Sequence, residues 1–323
     1  MTMLISIIVP TRNRVALLTR VLQAIQAQTH QQFEVLIVDD GSEAPTRALY
    51  PALLAQLGSR FRLVTVGTDG QRGQGPSASR NLGIRLAQGD IVAFCDDDDL
   101  WVDASHLAAV AQLFAQHHGV DVCISNQRAV FVDGSVKENW LPGLNHRINT
   151  LPLLEDRFSA VTVADLCRSG GFAHLNMLCV RRPVVEAVGG FWEAVNYEED
   201  RDFFWRCVDA SRGLAFTATT VAQHHVPDPA RRVNVSSAIQ PQERWLVAAM
   251  VSRHIAITVK SQAIAGLFLQ HEGDLLRRLA LHCAEHHQPR ASLALARQAL
   301  GARFSLKWAA YCTWAWVKSL NPF

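Results

Sequence analysis

The chain has 323 residues, of which 49% are hydrophobic and 19% charged, which is typical of a globular protein with one large domain or two smaller ones. Its formal net charge of +2 gives no reason to expect a nucleic-acid partner. The seven cysteines include no C-x-x-C pair and lie mostly in apolar surroundings, which predicts reduced thiols in a cytoplasmic protein. The N-terminal segment has no basic region before its short apolar run, so we interpret it as a first strand and not as a signal peptide.

Strands and helices are predicted to alternate along the first third of the chain. Apolar runs predict strands at 4–9, 33–38, 61–66 and 91–94. Helical periodicity predicts helices at 15–28, at 46–57 and from Ser77, the predicted N-cap, onward. This alternation favours parallel β-α-β units and an open sheet with helices on both faces.

Polar clusters follow three of these strands, at 10–13, 39–42 and 96–99. Ligands of open α/β sheets bind beyond the carboxyl ends of the strands, so the clusters predict one binding site at that edge. The last cluster is four consecutive acids, whose mutual repulsion requires an offsetting charge. Mg²⁺ and Mn²⁺ prefer oxygen ligands and bridge carboxylates to phosphates. A solvated acidic turn is the alternative.

The glycine-rich segment 67–76 is interpreted either as a mobile loop or as a phosphate cradle, although its spacing matches neither G-x-G-x-x-G nor a P-loop. Further along, we predict a helix at 103–117, strands at 121–125 and 128–132, an Asp133-Gly134 hairpin turn, a strand at 172–180, a helix from Pro183 to Gly189-Gly190 and a strand at 214–221. From Pro241 the pattern is helical throughout, with helices predicted at 243–259, 261–270, 273–287, 290–301 and 304–319.

Four ordered motifs carry a resemblance to a known family. They are Ser-Ile-Ile-Val-Pro-Thr-Arg-Asn at 6–13, Val-Asp-Asp-Gly-Ser at 38–42, Ala-Ser-Arg-Asn-Leu-Gly-Ile at 78–84 and Gly-Asp-Ile-Val-Ala-Phe-Cys-Asp-Asp-Asp-Asp at 89–99. Together they resemble the family 2 glycosyltransferases, over roughly residues 4–230. The resemblance implies an inverting enzyme with the GT-A fold, an α/β architecture with a Rossmann-like, mixed but mainly parallel sheet flanked by helices.

The same resemblance implies a division of the chain. Residues 1–238 would form the GT-A domain, with a donor half at about 1–125 and an acceptor half at about 126–238. Beyond the resemblance, the helical pattern predicts that residues 239–323 form a C-terminal helical region.

The resemblance also implies site residues. Donor-binding roles fall on Pro10, Thr11, Asn13, Asp40, Arg80, Asn81, Asp96 and Asp97. Asp40 would meet the nucleobase, whereas its neighbour Asp39 is either a turn acid or a second donor contact. Asp98, with Asp96 and His225, would ligate Mn²⁺ or Mg²⁺; His224 is the alternative histidine, and a packing role for the pair is the competing interpretation.

On the acceptor side, the Glu199-Asp200 pair resembles the Glu-Asp motif of the family at a helix start. Inverting transfer needs one general base near the acceptor hydroxyl, and we assign Asp200 to that role. Glu199 would bind the acceptor hydroxyl or serve as the alternative base. Acids that only stabilise the helix start are the competing interpretation. The segment Arg231–Ser237 would close over the donor diphosphate, or is simply exposed to solvent.

The segment Gln242-Glu243-Arg244-Trp245 resembles the Gln-x-x-Arg-Trp signature of processive polysaccharide synthases, but Pro241 stands where the signature needs glutamine. We therefore expect an enzyme that adds one sugar at a time, and we expect Trp245 to have a packing role. The last predicted helix carries Trp308, Tyr311, Trp314 and Trp316 between Lys307 and Lys318. Such a helix can lie on a membrane surface, pack on its own domain or bind a second subunit of a homo-oligomer.

The resulting hypothesis is a metal-dependent enzyme that transfers a sugar from a nucleotide-sugar donor, a UDP-sugar, to a glycan or lipid-linked acceptor. Its role would be in bacterial cell-surface polysaccharide or lipopolysaccharide biosynthesis. It would act in the cytoplasm or on the inner face of the membrane. One alternative is a non-catalytic sugar-nucleotide-binding or scaffold protein. Another is a sugar-nucleotide pyrophosphorylase, although Pro10–Asn13 replaces the glycine-rich, lysine-containing first loop of such enzymes.

Overall fold

The computed structural model describes residues 3–66, 73–228 and 239–320. The chain divides into two compact units, Met1–Asp228 and Pro229–Phe323. Most of the glycine-rich segment considered as a phosphate cradle, 67–72, lies outside the described residues, as does the arginine-containing segment 231–237.

One mixed sheet forms the centre of the first unit. Its strands are β1 (Ile5–Thr11), β2 (Phe33–Asp39), β3 (Phe61–Thr65), β4 (Ile91–Phe94), β5 (Leu100–Trp101), β6 (Val122–Val130), β7 (Val136–Lys137), β8 (Leu153–Glu155), β9 (Phe158–Val161), β10 (Leu178–Arg181) and β11 (Leu214–His225). The strand order is β3-β2-β1-β4-β10-β6-β11-β9-β8, with β5 paired to β11 and β7 to β6. The first four strands are parallel, β10 runs antiparallel to both of its neighbours, and β11 is parallel to β6. The predicted α/β fold with a mixed sheet is confirmed.

The helices of the first unit are α1 (Val15–Gln26), α2 (Ala44–Arg47), α3 (Tyr50–Leu57), α4 (Pro76–Leu86), α5 (His106–Gln116), α6 (Pro142–Arg147), α7 (Val163–Ser169), α8 (Arg182–Ala187) and α9 (Glu199–Ala210). Single 3₁₀ turns lie at Ile148–Thr150 and Leu175–Met177.

Strand β1 is buried on both faces, which explains its unbroken apolar sequence. Ile7 and Val9 belong to the same buried cluster as Leu18 of α1. Ile8 points the other way, toward α4, where Gly83 permits a close approach: a Cβ at that position would lie 2.6 Å from Ile8 Cγ2. Helices therefore cover both faces of the parallel strands, as the alternating pattern predicts.

Pro10 is tolerated in this central strand because its missing N–H faces a side on which pairing has ended. The carbonyl of Ile8 accepts a hydrogen bond from Cys95 on the β4 side, and the carbonyl of Thr11 accepts one from Asp40 on the β2 side. Pro10 therefore faces the β4 side, where the last paired residue is Phe94, opposite Ile8. A proline is compatible with a strand where no ladder hydrogen bond is lost.

Two elements differ in number from the prediction. The helix expected at 46–57 is two helices, because Pro51 in the first turn of α3 has no N–H with which to continue the ladder of α2. The two strands expected between 121 and 132 are a single strand, β6. It turns into β7 at the predicted Asp133-Gly134 turn, where Gly134 has a φ of 81°.

Three local expectations are wrong. The strand expected at 172–180 comprises only β10, which follows the 3₁₀ turn at Leu175–Met177. Ser77 does not cap α4, because the helix begins at Pro76 and the Ser77 hydroxyl donates to the carbonyl of Val195 at 3.3 Å. His224 and His225 lie within β11 and not after it, because this strand continues past Val221 alongside β6.

The second unit is helical. Its described helices are α10 (Pro241–Thr258), α11 (Gln262–Glu285), α12 (Pro289–Ala302) and α13 (Leu306–Leu320). The helices expected at 261–270 and 273–287 are one continuous helix, α11, in which Gly273 lies against the end of α12: a Cβ there would be 3.1 Å from Arg303 Cβ. Trp245 packs against the buried cluster of this unit, which confirms its predicted packing role.

The expectation about the cysteines can be compared with the fold. All seven cysteines are free and five of them are buried, in agreement with core thiols. Among the described helices, none has both the length and the apolar character needed to cross a membrane.

Candidate active site

Three polar clusters meet at one edge of the sheet, beyond the carboxyl ends of β1, β2 and β4. Thr11 lies opposite Asp39 in the β1–β2 register. The Thr11 hydroxyl donates to Asp97 Oδ2 at 2.8 Å, which joins the end of β1 to the acidic turn after β4. The parallel strand order thus brings together residues that lie far apart in the sequence.

At the end of β2, Asp39 organises the turn. Its buried carboxylate accepts hydrogen bonds from the Ser42 amide at 3.2 Å and from the Tyr50 hydroxyl at 3.2 Å. Of the two interpretations open for Asp39, the structure therefore shows the turn acid. Asn13 has a φ of 56°, its amide donates to Ser42 Oγ at 2.8 Å and its Oδ1 accepts from the Glu43 amide at 2.8 Å. Asn13 thus ties the loop after β1 to the loop after β2.

Asp40, the residue predicted to meet a nucleobase, is covered by backbone. Its carboxylate accepts from the amides of Gln74 at 2.9 Å and Gly75 at 3.0 Å. Gly73 lies so close that a Cβ there would overlap atoms of Asp40, so only glycine fits this approach. The described end of the glycine-rich segment therefore packs on Asp40.

The four acids of the turn alternate between inward and outward positions. The side chains of Asp97 and Asp99 are 7% and 5% exposed, whereas those of Asp96 and Asp98 are 35% and 28% exposed. Burial raises the pKa of Asp97 to about 6, against the opposing effect of Arg14. The outward carboxylates are therefore the ones that a ligand at this edge would meet first.

Two arginines, together with His224 when it is protonated, offset the charge of this turn. Arg14 Nη1 lies 3.0 Å from Asp97 Oδ1 and 2.9 Å from Asp98 Oδ2. Arg80 pairs with Asp96, and His224 with Asp99. Side chains of the chain itself therefore supply part of the offsetting charge that the four acids require. Arg14 has no local signal that would distinguish it in the sequence, and Asp99 was predicted only as a member of the acidic cluster 96–99 and not as the partner of His224.

Arg80 joins the donor side of the site to the acceptor side. Arg80 as a whole residue is 5% exposed, and its guanidinium lies 2.7 Å from Asp96 Oδ1 through Nη2 and 3.0 Å from Glu199 Oε1 through Nη1. Although burial opposes its charge, the Coulombic effects of Asp96 and Glu199 raise the pKa of Arg80 above its ordinary value. A residue expected beside a diphosphate is thus also the bridge between two predicted functional acids.

Asn81 makes hydrogen bonds to the segment before α9. Its Nδ2 donates to the carbonyl of Phe191 at 2.9 Å and to Glu193 Oε1 at 2.7 Å, and its Oδ1 accepts from the Phe191 amide at 2.7 Å. Phe191 stacks on Phe203 at 4.1 Å between ring centroids. In this structure Asn81 therefore positions the entry to α9, and its predicted donor contact stays a prediction.

Asp200 lies in the first turn of α9 among other acids. The Arg201 amide donates to its Oδ1 at 2.8 Å. Burial, followed by the charges of Glu199 and Glu198, raises the pKa of Asp200 to about 7. A carboxyl group that titrates near neutral pH is suited to accept and release a proton.

Glu198, just before this helix, has a φ of 65° and pairs with Arg201 at 2.6 Å. Left-handed backbone at a non-glycine residue is strained and occurs preferentially at functional sites. Of the four such residues among those described, Asn13 and Glu198 both belong to this edge of the sheet.

The two histidines at the end of β11 differ in their contacts. His224 Nδ1 lies 2.9 Å from Asp99 Oδ1, and Asp99 also accepts from Asn176 Nδ2 at 2.8 Å. Burial would lower the pKa of His224, but the hydrogen bond and the charge of Asp99 raise it above the ordinary value. His225 Nδ1 lies 2.9 Å from the carbonyl oxygen of Asp98, and its Nε2 lies 2.9 Å from Gln223 Nε2.

The residues at this edge fit a divalent cation in the chemistry of their donor atoms, although among the described residues only His282, Glu285 and His286 bring three such atoms within 4.8 Å of one another. Within the described part of the chain, Asp96 and Asp98 each keep one carboxylate oxygen without a hydrogen bond, and nothing hydrogen-bonds His224 Nε2. A histidine that donates Nδ1–H to a carboxylate and presents Nε2 is the usual arrangement of a metal ligand. Both ring nitrogens of His225, the histidine selected from the sequence, are already engaged, so the contacts favour His224.

Curated relatives support assignment to a glycosyltransferase family. A Bacillus subtilis protein named as uncharacterized glycosyltransferase YwdF is 34% identical over 112 residues, which cover 34% of this chain and 38% of that protein. Glycosyltransferase AglE of Haloferax volcanii is 27% identical over 226 residues, covering 68% of this chain and 66% of that protein. The chain thus matches less than two thirds of the length of these relatives.

Solved structures support the fold. Staphylococcus aureus TarS 1-349 in complex with UDP-GlcNAc has a TM-score of 0.66 at 17% identity, covering 99% of this chain and 89% of that one. The mannosyltransferase PcManGT of Pyrobaculum calidifontis, in complex with GDP-Man and Mn²⁺, has a TM-score of 0.57 at 19% identity, covering 98% and 81%. The model of the family described as glycosyl transferase family 2 matches residues 6–173, more than half of the chain. On this match the chain belongs to glycosyl transferase family 2.

Proposed function

We propose that this family 2 glycosyltransferase catalyses inverting, metal-assisted transfer of single sugars from a UDP-sugar to a hydroxyl of a glycan or lipid-linked acceptor of the kind used for cell-surface polysaccharides. The observation that carries the proposal is the bridge from Asp96 through Arg80 to Glu199. It connects the acids expected on the donor side with the helix start that bears Asp200, so that both halves of a transfer reaction lie at one edge of the sheet.

In the proposed reaction, Asp200 accepts the proton of the acceptor hydroxyl. The acceptor oxygen forms its bond to the anomeric carbon while the bond from that carbon to the diphosphate oxygen breaks, and the diphosphate leaves with the electron pair. The raised pKa of Asp200, about 7, makes it a stronger base than an ordinary carboxylate and still leaves a large ionised fraction at neutral pH.

On the donor side, Arg80 Nε is buried and has no hydrogen-bond acceptor among the described residues. An unpaired buried donor of this kind is what a bound diphosphate would satisfy. Asp98, Asp96 and His224 would hold Mn²⁺ or Mg²⁺. When bound, the cation would neutralise charge on the departing diphosphate. The TarS structure contains UDP-GlcNAc, and the PcManGT structure contains GDP-Man and Mn²⁺. Both support a nucleotide-sugar donor by analogy of fold.

The test is calorimetric titration of the protein with UDP, GDP and dTDP, each with Mn²⁺ and then with EDTA. We expect UDP to bind best, with affinity that is lost in EDTA and in Asp98→Ala. A second group of possible metal ligands lies at the C-terminal end of α11, where His282, Glu285 and His286 present ligand atoms within 4.8 Å of one another. The titrations are therefore repeated in His286→Ala. Metal-dependent nucleotide binding that persists in this control belongs to the sheet edge. Failure of all three nucleotides to bind would overturn the proposal.

A further inference from the structure

Helix α13 is apolar on the side that packs and also on the side that does not. Trp308 Nε1 donates to the carbonyl of Ala296 at 2.9 Å, Trp308 stacks on Tyr311 at 4.5 Å, and Cys312 and Ala315 are buried. These residues, spaced three and four apart, form the face that α13 turns toward the helical unit. At 100° per residue, the opposite face consists of Leu306, Ala309, Ala310, Thr313, Trp314, Trp316, Val317 and Leu320.

That opposite face, here called the α13 face, is exposed to solvent except at the half-buried Ala309. The exposed fractions are 80% for Leu306, 62% for Leu320, 54% for Val317, 51% for Trp314 and 47% for Trp316. Phe304, just before the helix, is 69% exposed. A soluble surface normally interrupts apolar residues with charged ones, but the α13 face contains no charged residue at all. A continuous apolar strip of this kind indicates a surface that something covers.

The charged residues around the α13 face indicate which kind of surface covers this face. From His286 to Phe323 the sequence has no Asp or Glu and five basic residues, Arg290, Arg297, Arg303, Lys307 and Lys318. Lys307 and Lys318 are exposed and lie at one edge of the α13 face, with Trp314 between them; Lys318 Nζ is 5.9 Å from the Trp314 ring centroid. A second copy of the chain would bring like charges toward each other across a two-fold axis. An anionic lipid surface complements the lysines, and its headgroup region accommodates tryptophan.

We propose that α13 lies in the plane of a membrane that contains anionic lipids, with the α13 face in the headgroup and acyl boundary and the two lysines at the phosphates. This inference uses residues of the helical unit alone and does not depend on the proposed transfer reaction. It also explains why Trp314 and Trp316 are half exposed, which packing within the helical unit does not explain.

The test is flotation of the full-length protein, without donor or metal, with vesicles of phosphatidylcholine alone or mixed with phosphatidylglycerol. We expect binding to the mixed vesicles that weakens as salt is raised. Lys307→Gln with Lys318→Gln should weaken it about 30-fold, at roughly 1 kcal/mol for each basic residue and 1.4 kcal/mol for each factor of ten. Trp314→Ser with Trp316→Ser should weaken it at least about tenfold through lost apolar burial.

Matched controls come from the first unit. Leu153→Ser removes a side chain that is 70% exposed, and Arg20→Glu reverses an exposed charge; neither should change vesicle binding. Circular dichroism melts of the tryptophan variant check that the helical unit still folds. Equal binding to both kinds of vesicle, or no binding, would overturn the proposal. A dimer in analytical ultracentrifugation that the tryptophan substitutions dissociate, with no vesicle binding, would show instead that the α13 face joins two copies.

Discussion

Replacing Asp200 with Asn tests the assignment of the general base with little change in structure. Asn has nearly the same volume, and its side-chain oxygen can still accept the hydrogen bond that the Arg201 amide donates to Asp200 Oδ1 at 2.8 Å. What is lost is the ability to take a proton. General-base catalysis contributes about 10²- to 10⁴-fold, so kcat should fall by that factor, which is about 3–5 kcal/mol of barrier. Donor affinity should change by less than about threefold.

The pH dependence of the wild-type enzyme is a second test of the role of Asp200. Because burial and the neighbouring acids raise the pKa of Asp200 to about 7, kcat/KM should rise with pH and level off above that value. Glu198→Gln removes one of the charges that raise this pKa, so the rising limb should move to lower pH. A carboxyl pKa raised above its ordinary 3.8 also means that ionising Asp200 lowers stability as pH increases from about 4 to 7. Asp200→Asn should therefore be at least as stable as the wild type near pH ~8.

The assay is release of nucleoside diphosphate from the donor, in the presence of acceptor, followed by a coupled phosphatase. Asp209→Asn makes the same substitution near the other end of α9 and serves as the matched control. If Asp200→Asn keeps more than about a third of the wild-type kcat, the general-base assignment is wrong. A pH profile that Glu198→Gln leaves unchanged would show that the rising limb belongs to another group.

Three further predictions concern other contacts. Asp99→Asn should weaken Mn²⁺ binding about 10- to 100-fold in calorimetry, because this carboxylate orients His224. His224→Ala should weaken Mn²⁺-dependent nucleotide binding more than His225→Ala does, and the reverse order would contradict the preference for His224. Gly273→Leu should destabilise the helical unit by about 1–3 kcal/mol, since its Cβ would lie 3.1 Å from Arg303 Cβ, whereas Gly266→Leu in the same helix has open space and should not lower the melting temperature.

Much of the fold could be predicted because its signals are local. Local spacing indicates which residues are buried, as in the apolar run from Ile5 to Val9 and in the helical periodicity that follows it. The same rules misplaced elements where a distant contact decided the outcome. Gly273 resembles a helix break, yet the close approach of α12 makes glycine the fitting residue inside α11. The strand β11 continues to His225 because β6 lies beside it, a partner that the local sequence does not indicate.

The location of the candidate site follows from the sequence alone, because parallel strands place their carboxyl ends at one edge and the polar clusters follow those ends. Which side chains pair with each other within the site does not follow from the sequence. Arg14 pairs with Asp97 across 83 positions, and Arg80 reaches Glu199 across 119. Neither pairing has a periodic or compositional signal, since each depends on where two elements meet after folding. Tertiary packing therefore decided which acids face outward and which face of α13 stays exposed. It also decided which histidine keeps a ring nitrogen without a hydrogen bond among the described residues, because burial and ion pairing are properties of neighbours in space.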